Sequence, residues 1–208
     1  MSYITLAIAT GRTAKQAMKL LEEGGIDFPD YHNKSRKLVI YDRTNTIKLI
    51  FVKTADLTTY VEKGAADIGI IGKDTLMEEK PDVYELVDLN VGKCQLAVAG
   101  FPGQQYQNGK PITVATKYPV IAKAFFNEKG IRVETIKLNG SIELAPLIGL
   151  SDIIVDIVET GTTLKENGLV VLDKVADVSA RVIVNKASFA TKTSRIEQVI
   201  NTLKVVVG

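Results

Sequence analysis

The sequence holds one cysteine, one histidine and no tryptophan in 208 residues. A single cysteine excludes an intrachain disulfide, and with a single histidine it leaves no Cys/His ligand set for zinc. Cys94 is expected to be a small buried strand residue, the usual role of a free cysteine. The lone histidine, His32, stands in the polar stretch DYHNKSRK. It has no Ser/His/Asp arrangement around it and reads as an exposed loop residue rather than a general base. Net charge is only +2, which argues against a broad basic surface for nucleic acid. Local cation clusters for a phosphorylated small molecule remain compatible with it. No run of about 18 apolar residues is present to cross a membrane. The opening MSYITLAIATGR lacks the basic start and apolar centre of an export signal. A soluble, cytoplasmic protein is expected.

What is present is a repeated switch of hydrophobic period between 2 and 3.6. Ile4, Leu6 and Ile8 alternate as in a strand, and Ala14, Ala17, Met18 and Leu21 recur at helical spacing up to Gly24-Gly25. Strands are predicted at 38–40 and 47–52 around the turn 42–45, then a short helix through Leu57, Tyr60 and Val61, a strand at 67–71 and a short helix after Gly72. A second series follows: strand 94–99, loop 101–111, strand 112–115, helix 120–129, strand 133–138, a short helix near 142–147 and strand 153–158. A later strand is predicted at 182–184. Ser194 and Glu197 have capping-box spacing, and Ile196, Val199, Ile200 and Leu203 mark the buried face of a last helix. Alternating strands and helices predict an α/β fold with mixed, largely parallel sheets. The two series meet near residues 90–100, so two lobes are expected with a ligand cleft between them. Periodicity alone leaves open which lobe holds the last helix.

The segment DIVETGTTL (156–164) carries the chemistry. A buried strand would deliver it to the edge where α/β folds bind ligands. Gly161 permits a backbone turn that other residues resist. The amides of Thr160 to Leu164 could then converge on one phosphate, with Thr hydroxyls as further donors. Asp156 or Glu159 upstream suits ribose hydroxyls. The whole reads as a cradle for a ribose 5-phosphate, against the plainer reading of a Thr-rich helix-capping turn. Gly11-Arg12 after the first strand and Ser35-Arg36-Lys37 before the second are candidate phosphate or pyrophosphate sites. Lys53 and Lys73, each after a strand, are weaker ones.

Four stretches resemble one family. GAADIGIIGKD (64–74), ATKYP (115–119), LNGSIELAP (138–146) and GLSD (149–152) with DIVETGTTLKENGL (156–169) are similar, in this order along the chain, to motifs of the ATP phosphoribosyltransferases. The resemblance spans essentially the whole chain. It implies two lobes like the type II periplasmic binding proteins, with the active site in the cleft; we expect lobe I at 1–91 plus 180–208 and lobe II at 92–179. It implies the substrates ATP and phosphoribosyl pyrophosphate (PRPP), with Mg²⁺ arriving on the substrate, and attack of adenine N1 on the anomeric carbon. Thr160, Gly161, Thr162 and Thr163 match the loop that grips the 5-phosphate. Asp156 matches the acid for ribose hydroxyls, with Glu159 beside it. Arg12 and Arg36 match arginines that would stabilise the departing pyrophosphate. Gly11, Lys53 and Glu143 are further candidates for substrate contact. The chain departs from the family pattern at Thr10, Lys53 and Gln95, where cations (arginine in place of Lys53) are frequent. Long-form members carry a C-terminal histidine-binding domain. This chain resembles the short form, which implies a histidyl-tRNA-synthetase-like regulatory subunit in a hetero-octamer, a homodimer when alone, and no nucleic acid or membrane partner. The weighed alternative is a non-catalytic solute-binding or regulatory protein.

Overall fold

Every residue of strand β1 (Ile4–Ala9) is buried, and a strand covered on both faces needs helices on both sides. Residues 3–32, 37–105 and 111–208 are described by a computed structural model. The chain forms two compact units, Met1–Gly92 with Ser179–Gly208, and Lys93–Val178. In the first unit β1 is followed by α1 (Arg12–Glu23), β2 (Val39–Tyr41), β3 (Ile47–Val52), α2 (Thr54–Glu62), β4 (Ile68–Gly72), α3 (Lys73–Glu79) and β5 (Tyr84–Asp88). The second unit holds β6 (Cys94–Gly100), β7 (Ile112–Thr116), α4 (Pro119–Glu128), β8 (Val133–Lys137), α5 (Leu144–Leu147), β9 (Ile153–Val158), α6 (Thr162–Glu166) and β10 (Val170–Val178). The chain then returns to the first unit through β11 (Ala180–Val184), α7 (Lys186–Thr191) and α8 (Thr193–Val207).

The sheet of the first unit runs β2-β3-β1-β4-β11-β5 and that of the second β10-β6-β9-β7-β8. Both are mixed. Parallel pairing is confined to β3-β1-β4 and to β9-β7-β8, and the flanks are antiparallel. On one face of β1, Ile4, Leu6 and Ile8 pack with Ala14, Ala17, Met18 and Leu21 of α1 and with Ile196, Val199, Ile200 and Leu203 of α8. On the other face Ala7 and Ala9 pack with Leu57 and Val61 of α2. Tyr60, assigned by spacing to that buried face, is 41% exposed. α2 approaches the sheet so closely that a Cβ at Gly69 would stand 2.7 Å from Val61 Cγ2 and 2.8 Å from Leu57 Cδ2.

Several elements depart from the periodicity. β5 and β10 were not expected. β10 reads VVLDKVADV, and register shifts between Val171 and Asp173 and between Lys174 and Ala176 break its alternation. The short α7 was also missed; it is capped by Asn185, whose Oδ1 accepts from Ser188 N–H at 2.8 Å. The capping box is corrected. α8 begins at Thr193 directly after α7, with Lys192 at its N-cap and no side-chain cap bond, so Ser194 already lies inside the helix. Cys94 is half-buried rather than buried. The part of the expected loop at 106–110 lies outside the described residues.

Lys192 has a different task. Its Nζ donates to the 3%-exposed Asp67 at 2.8 and 3.0 Å. Asp67 also accepts from Thr5 N–H at 2.8 Å, which ties β1, the start of β4 and the α7–α8 junction together. Burial alone would raise the Asp67 pKa, but the bonds from Lys192, Ser188 and Thr5 outweigh it and hold the carboxyl below its ordinary 3.8. A carboxyl held low stabilises the fold above its unfolded pKa, and that contribution is lost as pH falls through the folded value. Lys192→Met should lower stability by roughly 1–3 kcal/mol at neutral pH, because it strands a buried charge whose partner was itself partly solvated. Urea denaturation at pH 7 and at steps below pH 4 would check this: the difference between wild type and variant should shrink as the solution is acidified.

Candidate active site

Ile153, Ile154 and Val155 of β9 are buried between β6 and β7, and they fix where the strand ends. Asp156 follows half-buried, its Oδ1 accepting from Ile157 N–H at 2.8 Å. Glu159 and Thr160 are exposed. Gly161 then turns the chain with φ 74° and ψ 3°, a left-handed conformation that costs other residues. α6 starts at once, with Lys165 N–H donating to Gly161 O at 3.0 Å. The hydroxyls of Thr160 and Thr162 lie 3.0 Å apart. Among the described residues the amides of Thr163 and Leu164 find no protein acceptor, the normal state of a helix start.

The far end of α6 is locked. Gly168 N–H donates to Lys165 O at 3.1 Å and Leu169 N–H to Leu164 O at 2.9 Å, the paired bonds of a Schellman turn. Leu164 and Leu169 are both buried in the core of the second unit with Ala97, Ala115, Ile154 and Val158. The loop is thus pinned by apolar anchors while its polar edge faces solvent. A concavity of about 580 Å³ opens there, lined by Thr160, Gly161, Thr162, Lys165 and Glu166. Lys165 was missed from the sequence. It stands three residues after Thr162, the spacing that puts two helix residues on one face, so the signal was there to be used.

The other candidates fall at two sheet edges. β1, β3 and β4 are parallel neighbours, so Gly11-Arg12, Lys53 and Lys73 all leave the same C-terminal edge of the first sheet, where α/β folds place ligands. Gly11 is the N-cap of α1 with φ 129°. Arg12 opens that helix, and its side chain lies outside what is described. Lys53 is exposed at the N-cap of α2. Lys73 is engaged by Glu85 at 2.6 Å. Arg36 lies outside the described residues; His32 is exposed. In the second unit β7, β8 and β9 are parallel. Half-buried Glu143, between β8 and α5, and the loop at 160–163, after β9, therefore share one edge. No group of three or more His, Cys, Asp or Glu able to hold a metal ion occurs among the described residues.

A family model described as ATP phosphoribosyltransferase matches residues 53–205. An enzyme of that name from Oceanobacillus iheyensis is 51% identical over 208 residues, covering 100% of both chains. The chain belongs to the ATP phosphoribosyltransferase family. Another member, from Clostridium acetobutylicum, is 50% identical over 97% of this chain and 94% of its own. Among solved structures, the ATP phosphoribosyl transferase (HisG:HisZ) complex from Thermotoga maritima matches with TM-score 0.84 and 34% identity over 98% of each chain. The periplasmic aliphatic sulphonate binding protein SsuA from Escherichia coli matches with TM-score 0.61 and 12% identity, over 100% of this chain and 73% of that one. The last likeness is one of fold alone: α/β units with mixed sheets, of the type II periplasmic-binding-protein kind. The solute-binding alternative is not favoured, since the full-length likeness at about half identity is to the transferases.

Gly161 offers a test of the loop as a folded object. An added Cβ would meet only Val158 Cγ1, at 3.8 Å, so Gly161→Val is strained in the backbone and not by collision. Left-handed strain of this kind costs about 1–3 kcal/mol. Gly161→Val should lose that much in denaturant titration while keeping the far-UV circular dichroism of the parent.

Proposed function

We propose that the chain transfers the phosphoribosyl group of PRPP to N1 of ATP, giving phosphoribosyl-ATP and pyrophosphate, the first step of histidine biosynthesis. The observation that carries the reading is the 160–164 loop, a left-handed glycine followed by outward amides and hydroxyls, in a member of this family. Thr160, Gly161, Thr162 and Thr163 grip the 5-phosphate, with Lys165 adding positive charge from α6. Asp156 takes the ribose hydroxyls, and Glu159 stands next to it. Gly11, Lys53 and Glu143 make further substrate contacts.

In the reaction the N1 lone pair forms a bond to the anomeric carbon. The bond from that carbon to the pyrophosphate oxygen breaks with inversion, and the electron pair leaves on pyrophosphate. Arg12 and Arg36 stabilise the charge as it gathers there, where electrostatic help lowers the barrier. N1 has its own lone pair, so positioning and leaving-group stabilisation carry the rate without a strong general base. Mg²⁺ arrives on the phosphates of the substrates, its usual manner of binding in nucleotide enzymes. A histidyl-tRNA-synthetase-like regulatory subunit is the partner in this reading, in a hetero-octamer, with a homodimer when the chain is alone and the cytoplasm as its place. The HisG:HisZ complex from Thermotoga maritima supports that partnership. Among the described residues no helix is long and apolar enough to cross a membrane.

The purified chain, with ATP, PRPP and Mg²⁺, should release pyrophosphate and form a product absorbing near but shifted from the adenine band, alone or with the partner. No turnover in either mixture would count against catalysis. Arg36→Ala should lower kcat more than it weakens PRPP affinity, since its charge is asked for in the transition state. Gly161→Val should abolish PRPP binding in calorimetry; unchanged affinity would remove the phosphate cradle.

A further inference from the structure

β7 ends in a polar residue that is 0% exposed, Thr116. A valine there would have the same branched shape, so packing alone does not call for a hydroxyl, and a buried hydroxyl is costly unless it is bonded. This one is bonded twice. It accepts from Tyr118 N–H at 2.8 Å and donates to Val155 O at 2.6 Å. The first bond is a local turn of the kind threonine often makes two residues ahead. The second reaches across to β9. The main-chain oxygen of Thr116 also accepts from Leu138 N–H at 3.0 Å. One buried residue thus ties the end of β7 to β9, to the start of α4 and to the chain just past β8.

The position of the bond to Val155 gives it a second task. β7 and β9 pair through Val114–Ile153, Ala115–Ile154 and Thr116–Val155, and their pairing stops there. β9 runs on through Asp156 to Val158 with main-chain pairing to β6 alone. Val155 O belongs to the planar peptide unit that joins Val155 to Asp156. On the other side of the same residue, Ile157 N–H donates to Asp156 Oδ1 at 2.8 Å. The Thr116 hydroxyl therefore orients the peptide plane entering Asp156, and the carboxylate rests on the plane leaving it.

We propose that Thr116 is a positioning residue for the ribose of PRPP: its buried hydroxyl clasps β9 where β7 lets go, and so aims the Asp156 carboxylate at the ribose hydroxyls. The inference rests on the transferase reading and deepens it at the end of β9. The 160–164 loop is anchored separately, by Leu164 and Leu169. Loss of the hydroxyl should therefore spare the grip on phosphate and spoil the alignment of the sugar.

Calorimetric titration with PRPP and Mg²⁺, and separately with inorganic phosphate, tests this. Thr116→Val should weaken PRPP binding about ten-fold, the scale of a lost hydrogen bond to a charged group, and leave phosphate binding unchanged. Thr116→Ser, which keeps the hydroxyl, should bind PRPP like the parent. Val114→Ala, a cavity in the same buried strand, should lower the denaturation midpoint and leave PRPP affinity alone. In an Asp156→Asn background Thr116→Val should cost little further affinity, because both changes act through one contact. Unchanged PRPP affinity in Thr116→Val, equal loss of PRPP and phosphate binding, the same loss in Val114→Ala, or additive losses in the double variant would each overturn the assignment. Should Thr116→Val not fold, Thr116→Cys, whose thiol is a weak donor, is measured instead, and parental PRPP affinity there would overturn it. A parent that turns over while Thr116→Val keeps its kcat/KM for PRPP would overturn it as well, leaving the transferase reading in place. A parent whose PRPP affinity depends on Thr116 through Asp156, yet which never turns over with its partner, would do the reverse.

Discussion

A central strand buried on both faces governs the first unit. β1 cannot sit beside solvent on either side, so α1 with α8 must cover one face and α2 the other. Chain segments that leave a strand, form a helix and return to the same sheet produce parallel neighbours. Parallel neighbours end at one edge. The loops after β1, β3 and β4 are therefore gathered by packing and not by any attraction between the polar residues they carry. β7, β8 and β9 repeat the logic in the second unit and deliver the 160–164 loop to the same sheet edge as Glu143.

That arrangement explains which parts were legible in the sequence. The parallel strands are short, apolar and close to regular, and 47–52 and 153–158 were read at their observed bounds. The glycine-threonine loop was legible because its chemistry is local: one glycine, several hydroxyls and a strand before them. β10 was illegible because its charged residues and register shifts erase the alternation that pattern-reading needs. α7 was illegible because it is shorter than two full turns, and Asn185, its cap, also donates to Val61 O and Glu62 O across the fold. Ser194 was read as a cap from spacing alone, but α8 follows directly on α7 with Lys192 at its N-cap, so Ser194 falls inside the helix. The cavity beside Tyr31 could not be seen at all from the sequence. Tyr31, Ile40 and Phe51 are brought together by loop hydrogen bonds over a span that no periodic pattern marks.

Rigidity and polarity are divided cleanly at the 160–164 loop. Leu164 and Leu169 hold it from below, the Schellman turn closes its helix, and Gly161 opens it. Several of the donors that this polar edge offers are main-chain amides, whose positions do not depend on side-chain rotamers. Preorganised donors of this sort need little rearrangement when charge arrives. The same economy holds around Asp42, whose carboxylate accepts from the amides of Thr44, Thr46 and Ile47 at 3.1, 2.7 and 2.6 Å and shapes the turn between β2 and β3. Burial alone would raise its pKa, but these bonds and that from the Thr44 hydroxyl hold it low.

The path of the chain has a consequence for how the molecule is made. β11 inserts between β4 and β5, yet it is translated after the whole of the second unit. Until it emerges from the ribosome, β4 keeps an open edge and β5 has no neighbour, while the uninterrupted middle of the chain has everything needed to close its own sheet. The second unit should therefore mature first, and the first unit should wait, exposed to chaperones and to mispairing, for its final thirty residues.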